Sequence, residues 1–254
     1  MKLNKITKGL GALALTVLYI SCSRSVPDLV ASTNANFNNK AFVQIYNGTL
    51  TSTRNYAYVD GNALTGAAFS YGSTFPSIPS NFSVTSGLRA FLIRDTQIIK
   101  TPVTTQLPMS FAQSLDANKY YTIFMYDTLN SPQQKIVNND IQIPTDTTAR
   151  VRFANFIFSK TAVPNVDVFS VKRNANVFTN VGVTDVTGYI PFAAALTTST
   201  SDTLLVRETG TTNLLAQLNT YLPIRKRSYT LVFRGRYQST TGSVVRTLSS
   251  FSNN

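Results

Sequence analysis

The amino-acid sequence predicts an all-β fold made of two tandem immunoglobulin-like antiparallel β-sandwich domains. The first observation is composition: 254 residues include 34 Thr, 16 Phe and 12 Tyr but a single Glu, Glu208, which favours pleated sheet over helix. The second observation is a long internal repeat. The third is that each copy holds about seven or eight short apolar segments separated by Gly, Pro, Asn and Asp, the spacing typical of a sandwich.

The first segment of the chain has the pattern of a signal peptide, which we predict for residues 1–21. Three lysines, Lys2, Lys5 and Lys8, precede the apolar residues 11–20. This apolar segment has about half the length that a helix needs to span a bilayer. Its length and its basic flank therefore predict export rather than a membrane span.

The position of the cysteine indicates a lipoprotein. Residues 18–22 resemble a bacterial lipobox, which predicts that Cys22, the only cysteine, carries the lipid, palmitate included. The alternative is an ordinary signal peptide that ends near a buried cysteine. Residues 22–39 are rich in Ser and Asn and predict a lipid-anchored tether. We expect attachment to the bacterial outer membrane, with the periplasmic and the cell-surface side both open.

A repeat divides the remaining chain into two modules. Residues 41–47 and 121–126 recur 108 positions later, and residues 92–96 recur 113 positions later, so the second copy carries a small insertion. The matched blocks keep their order in both copies. The repeat predicts one β-sandwich at residues 40–144 and a second at residues 145–254, joined by a short Pro/Thr linker.

Short apolar segments predict the strands of both copies. In the first copy they predict strands at residues 42–46, 56–59, 67–70, 82–85, 90–94, 120–126 and 135–137. In the second copy they predict strands at residues 151–156, 166–169, 177–181, 189–192, 203–207, 214–218, 229–233 and 244–248. A short helix at residues 214–222 is the alternative for one of them. Turn residues predict hairpin tips at 172–176 and 240–243.

Four blocks of the second copy resemble the bacterial domain-of-unknown-function family 4397. They are residues 149–155, 164–169, 187–191 and 229–233, of which the second reads Pro-Asn-Val-Asp-Val-Phe. The second copy departs from the family's Val-Asp-Gly continuation, which the first copy keeps at residues 58–61. The resemblance implies exported, often tandem, sandwich-like domains on bacterial envelope proteins, and it implies no activity.

The composition gives little support for a catalytic site, and we predict that the chain is not an enzyme. Without His there is no Ser-His or Cys-His nucleophile, and one Cys allows neither a disulfide nor a cysteine zinc site. Gly-rich phosphate-binding loops are absent, and we predict no cofactor and no metal. Asp167, between two valines, is the most interesting acid, and we expect it to cap a turn rather than bind a ligand.

Positive charge is concentrated in the second copy. Residues 145–254 contain 12 basic and 5 acidic residues, a net charge of +7, against 8 and 6, or +2, for residues 23–144. Within this basic module, the candidate residues for an anionic ligand are Arg225, Lys226, Arg227, Arg234 and Arg236. A solvated basic surface without a ligand is the alternative.

These patterns predict a non-catalytic binding or assembly module on the bacterial cell envelope, anchored to the membrane by its N-terminal lipid. The partner would be another envelope protein or a glycan, and we expect no nucleic acid. The alternative is a surface adhesin, or a protein that binds an anionic polysaccharide through the basic second module. The sequence leaves the ligand and the oligomeric state open.

Overall fold

The structure is a computed structural model, and it describes residues 37–77, 80–97, 100–101, 104–141, 143–194 and 201–253. The predicted signal peptide, Cys22 and most of the tether lie outside the described residues. One 3-10 turn, Phe37–Asn39, precedes the first strand. Within the described residues, no helix has the length and hydropathy that crossing a membrane would require.

Nine strands form the two sheets of the first sandwich. They are β1 (Lys40–Asn47), β2 (Tyr56–Val59), β3 (Asn62–Ala63), β4 (Thr74–Phe75), β5 (Phe82–Thr85), β6 (Gly87–Arg94), β7 (Met109–Leu115), β8 (Tyr120–Thr128) and β9 (Ser131–Asn139). Strands β4, β1, β8 and β9 form the first inner sheet, in which β5 also pairs with β1. Strands β3, β2, β6 and β7 form the first outer sheet in that order.

Eight strands form the second sandwich with the same arrangement. They are β10 (Ala149–Phe158), β11 (Val166–Ser170), β12 (Ala175–Val181), β13 (Ile190–Phe192), β14 (Asp202–Glu208), β15 (Leu214–Tyr221), β16 (Ser228–Arg236) and β17 (Thr247–Ser252). The second inner sheet has the order β13-β10-β16-β17, and the second outer sheet has the order β12-β11-β14-β15. The all-β fold is therefore confirmed.

The inner sheets are mixed, which corrects the expectation of purely antiparallel sheets. Strand β1 pairs in parallel with β8, and β10 pairs in parallel with β16. Phe42 faces Tyr120 in the first pair and Arg150 faces Ser228 in the second, so both partners shift by the 108 residues of the repeat. Apolar patterning does not reveal strand direction, because side chains alternate between faces in either orientation.

Each sandwich closes around its own core. In the first, Val43 and Ile45 of the inner sheet pack against Phe91 and Ile93 of the outer sheet. In the second, a cluster that includes Phe153 and Leu231 of the inner sheet packs with residues of the outer sheet such as Val168 and Val206. Every second residue of an inner strand therefore points into a core, as the period of two in a strand requires.

The remaining residues of the inner strands form a third core between the two inner sheets. Its buried members are Tyr46, Phe124, Ala154, Phe156 and Val232. The rings of Phe124 and Phe156 stack with centroids 4.7 Å apart, and those of Tyr46 and Phe251 stack at 5.3 Å. By its internal contacts, the segment Phe37–Asn254 is one compact unit. The sheets thus lie in the order first outer, first inner, second inner and second outer.

Most predicted strands are present, including the one at residues 214–218, with two informative differences. Residues 67–70 form no strand, and Phe69 makes only an isolated bridge to Asn55. Strand β7 was not predicted, because its residues neither alternate regularly between apolar and polar nor include the β-branched residues that mark other strands. Residues 214–222 contain strand β15 rather than a helix. The turn predicted at 172–176 lies between β11 and β12.

Candidate functional site

A cleft opens where the two inner sheets meet, near the end of β9 and the start of β10. It has a volume of about 280 Å³. Its lining residues are Val137, Asn138, Asp140, Arg150, Arg152, Thr187, Gly188 and Tyr189. We call it the joint cleft. Because its walls come from β9 and its C-terminal continuation, from β10, and from the segment before β13, the cleft forms only when the two sandwiches are packed together.

Arg152 is the most unusual residue of the joint cleft, because its charged side chain is only 2% exposed. Its Nε donates to Thr230 Oγ1 at 2.9 Å, and its Nη2 donates to Asn139 Oδ1 at 2.7 Å. The ion pairs formed within the described residues, Arg89–Asp60 and Arg150–Asp146, do not include it. Burial lowers the pKa of Arg152. The guanidinium is thus held by neutral groups alone.

The local sequence explains why an arginine occupies this position. Arg150 and Arg152 alternate with Val151 and Phe153, which enter the second core. Both arginines therefore lie on the face of β10 that is turned toward the first sandwich. Strand β10 is mostly buried because it lies between the second core and the third core. The aliphatic part of the Arg152 side chain adds apolar surface to this packing.

The segment before β13 closes one side of the cleft. Thr187 is tied to β10 by two hydrogen bonds, because its N–H donates to Phe153 O at 2.8 Å and its Oγ1 accepts from Phe153 N at 2.9 Å. The Tyr189 ring then lies with its centroid 4.9 Å from the Arg152 guanidinium carbon, a cation–π contact. Burial raises the pKa of Tyr189, which keeps its phenol neutral.

Two further charged residues line the joint cleft. Arg150 has a side chain that is 25% exposed and an Nη2 that lies 3.5 Å from Asp146 Oδ2. Hydrogen bonds from Thr148, with the charge of Arg150, hold the pKa of Asp146 below its usual range. Asp140 also lines the cleft and is exposed. Two arginines and one aspartate leave the lining with a net positive charge.

A hydrogen-bond network connects Arg152 to the first sandwich. Thr122 and Asn139 bond each other and both accept from Arg152. Asn253 donates to Gln44 Oε1 at 3.3 Å and accepts from Thr230 at 2.7 Å. Gln44 in turn donates to Ser252 O at 3.0 Å. The network therefore runs through the joint from one inner sheet to the other.

Three of the predicted binding residues lie beside the joint cleft. Arg225, Lys226 and Arg227 are exposed in the connection between β15 and β16. Lys226 N–H donates to Thr148 O at 2.8 Å, and Arg150 N–H donates to Arg227 O at 2.8 Å. The structure thus brings this basic tripeptide next to Arg150. We call the four residues the basic end.

The other two predicted residues lie at the far end of β16 and are not part of this group. Arg234 lies seven positions after Arg227 in the sequence, a distance of about 23 Å along the strand. Arg234 contacts the Tyr71 ring of the first sandwich at 4.5 Å, and Arg236 lies 5.6 Å from the Phe158 ring centroid. Burial opposes the charge of Arg234, but Tyr46 and Tyr71 beside it raise its pKa. Both arginines pack against aromatic rings of the protein itself.

Sequence analysis did not include Arg150 and Arg152 among the candidate binding residues. The signal that could have found Arg152 is the repeat, in which it occupies the position of Gln44, 108 residues earlier. A neutral residue in one copy and a cation in the other mark a position where the copies have different environments. Asn139 and Thr122, by contrast, carry no distinguishing signal.

Two buried carboxylates of the second sandwich, Asp167 and Asp202, cap turns. Asp167 accepts hydrogen bonds from Asn180 N, Thr209 Oγ1 and Asn176 Nδ2 at 2.8 to 3.0 Å. Asp202 accepts from Ser170 Oγ and from Lys172 N. Among the described residues, no group of three or more His, Cys, Asp or Glu side chains could hold a metal ion. Asp167 thus has the turn-capping contacts expected of it.

Comparison with known proteins adds no assignment. No protein-family model matches the chain, and no curated protein matches it.

Proposed function

We propose that this chain is a non-catalytic binding protein of the bacterial cell envelope, held at the outer membrane by lipid on Cys22, and that it binds an anionic glycan. The observation that carries the proposal is the basic end, where Arg225, Lys226 and Arg227 are exposed side by side against Arg150. Four cationic side chains at one end of a rigid sheet create a positive potential that attracts a polyanion.

The fold supports this proposal by fixing where the charges lie. The tripeptide is attached through backbone hydrogen bonds to Thr148 and Arg150, so it cannot swing freely away from β10. The third core holds the second sandwich against the first, so the basic end keeps a constant orientation. Preorganised charges lose less entropy on binding than charges on a free tail.

Binding to a charged polymer tests the proposal. The full chain, purified in neutral detergent, should bind alginate and not neutral dextran in calorimetry. Because the attraction is screened, affinity should fall by about tenfold or more between about 0.05 M and about 0.5 M salt. Alginate binding that does not change with salt would contradict the proposal, and so would the absence of binding.

A matched pair of variants locates the binding surface. Changing Arg225, Lys226 and Arg227 together to Gln removes three charges from the basic end. The control changes three exposed lysines elsewhere, Lys100, Lys119 and Lys160, to Gln. We expect the first variant to lose alginate binding and the second to retain most of it. Equal losses would mean that net charge alone drives binding.

Location is tested in cells. We expect metabolically supplied palmitate to label the wild-type chain and not Cys22→Ala. Protease treatment of intact cells should then show which side of the outer membrane carries the sandwiches. Digestion in intact cells would favour a surface adhesin, whereas protection until lysis would place the glycan in the periplasm. Absence of label from the wild type would contradict the lipid anchor.

Assembly with another envelope protein is the second candidate, and one feature favours it. Strand β7 forms an edge of the first outer sheet and contains no charged residue and no proline. Exposed edges usually carry such residues, because an unprotected edge pairs with strands of other proteins. Placing lysines at the exposed Ser110 and Ser114 should abolish crosslinking to a partner strand if β7 is the contact.

A further inference from the structure

The joint cleft holds a buried cation that forms none of the ion pairs found within the described residues. Gln44 occupies the same repeat position in the first inner sheet, is 1% exposed, and joins the same network without a charge. A neutral amide is therefore sufficient to connect the inner sheets at this position. A buried charge costs more free energy than a buried amide, so the arginine requires a separate explanation.

The hydrogen bonds of Arg152 leave donors unused. A guanidinium has five N–H donors, and the bonds to Thr230, Thr122 and Asn139 use only Nε and Nη2. Among the described residues, no acceptor forms a hydrogen bond with Nη1 of this arginine. Since Arg152 also lines the joint cleft, an acceptor brought by a ligand would complete its hydrogen bonding.

The rest of the lining indicates the chemistry of that ligand. Arg150, which is paired with Asp146 outside the lining, provides a second cation at the cleft, and Asp140 provides one negative charge, so the lining residues themselves carry a net charge of +1. This balance suits a monoanion better than a phosphate dianion. Asn138, Thr187 and the backbone at Gly188 offer amide and hydroxyl groups suited to the hydroxyls of a sugar.

We propose that the joint cleft binds the carboxylate of a sugar acid, either free or as one unit of a polysaccharide, through Arg152 and Arg150. Arg152 accounts for the affinity, because an anion supplies the counter-charge that the protein itself does not. The polar lining accounts for preference among sugars. The site deepens the proposed function by naming a ligand class, yet the monomer should bind here even if no polymer binds at the basic end.

Calorimetry on the full chain in neutral detergent tests the site with three small probes. We expect D-glucuronate to bind with one site per chain, inorganic phosphate to bind more weakly, and D-glucose not to bind. Short glucuronate oligomers should bind at least as tightly as the monomer if the ligand is a polymer unit. Phosphate binding that is tighter than glucuronate binding would overturn the assignment to a sugar acid.

Two variants assign the binding to the cleft. Arg152→Gln copies the residue of the first repeat, so it should fold, and it should weaken glucuronate binding by about tenfold or more. Arg150→Gln changes a partly exposed residue and should weaken binding by a smaller factor. The control Arg89→Gln removes one surface arginine of the first sandwich and should leave binding unchanged. Undiminished binding in both Arg152→Gln and Arg150→Gln would overturn the proposal.

The two proposals can fail separately. Replacing Arg225, Lys226 and Arg227 with Gln should sharply weaken alginate binding, whereas D-glucuronate should bind the joint cleft with unchanged affinity. Wild-type binding of alginate without any binding of glucuronate would overturn the site in the joint cleft alone. Binding of glucuronate without any binding of alginate would overturn the proposed polymer function alone.

Discussion

The two sandwiches have the same strand order and the same parallel register, yet their equivalent residues meet different surroundings at the joint. Gln44 and Arg152 sit 108 residues apart and pair with Thr122 and Thr230, also 108 apart. Of these two residues only Arg152 is charged, and it lines the joint cleft. The repeat thus gives both halves the same strand arrangement, and a substitution at an equivalent position gives them different charges at the joint.

The largest expected loss of stability comes from removing an aromatic ring from the third core, which exists only because the two sandwiches pack together. Phe124 is fully buried and stacks on Phe156, so Phe124→Ala should lower the free energy of unfolding by about 3–5 kcal/mol. Urea unfolding followed by tyrosine fluorescence measures it. The control Phe111→Ala removes a half-buried ring of the first outer sheet and should cost less. A smaller loss for Phe124→Ala than for Phe111→Ala would show that the joint adds little stability.

Substitutions at Gln44 and at Arg152 should have intermediate effects on stability, and the effect should be larger at Arg152. Arg152→Ala leaves Thr230, Thr122 and Asn139 each without one partner and should cost about 1–3 kcal/mol in urea unfolding. Gln44→Ala removes two weaker bonds and should cost about 1 kcal/mol. Arg152→Gln should cost less than Arg152→Ala. If Gln44→Ala were the more damaging change, the two positions would not have the roles assigned here.

The smallest expected effect is a loss of stability at acid pH, which both sandwiches should show. The N–H of Ala90, with the Arg89 side chain, lowers the pKa of Asp60, and the hydroxyl of Tyr237, with Asn213, lowers the pKa of Glu208. A carboxyl with a lowered folded-state pKa stabilises above its unfolded pKa of about 4, and this contribution disappears as the pH falls through the folded pKa.

Urea midpoints measured at pH 6 and at pH 3 test this dependence. The midpoint of the wild type should fall on acidification, and Asp60→Asn or Glu208→Gln should each reduce the fall slightly. Ser131→Ala, a change in an exposed residue without charge, should leave the fall unchanged. A midpoint that does not change between the two pH values would contradict the prediction for both halves.

Much of the fold could be predicted because strand formation depends on local composition. Tyr56–Val59 and Phe82–Thr85 are strands with the predicted bounds, since β-branched and aromatic residues cluster there between turns. Strand β7 was missed because Ser and Ala occupy its exposed positions. Its position in the sheet comes from pairing with β6, a contact that no local pattern encodes.

The candidate site was predicted in part. Arg225, Lys226 and Arg227 were identified from charge alone, and the structure leaves them exposed. Arg234 was grouped with this tripeptide because both lie near β16 in the sequence. Sequence proximity does not show that about 23 Å of strand separates Arg227 from Arg234, given a rise of about 3.3 Å per residue. The buried Arg152 was not chosen, because an arginine in a strand is normally expected to be solvated.

The sequence by itself determined the β class, the repeat and the concentration of positive charge in the second half. Each of these depends on composition or spacing, which operates through short-range preferences and through the period of two along a strand. The tertiary structure decided that the inner sheets pack face to face. Only this packing buries the face of β10 that is turned away from the second core. Arg152 lies on that face, and it is therefore a buried residue that lines the joint cleft.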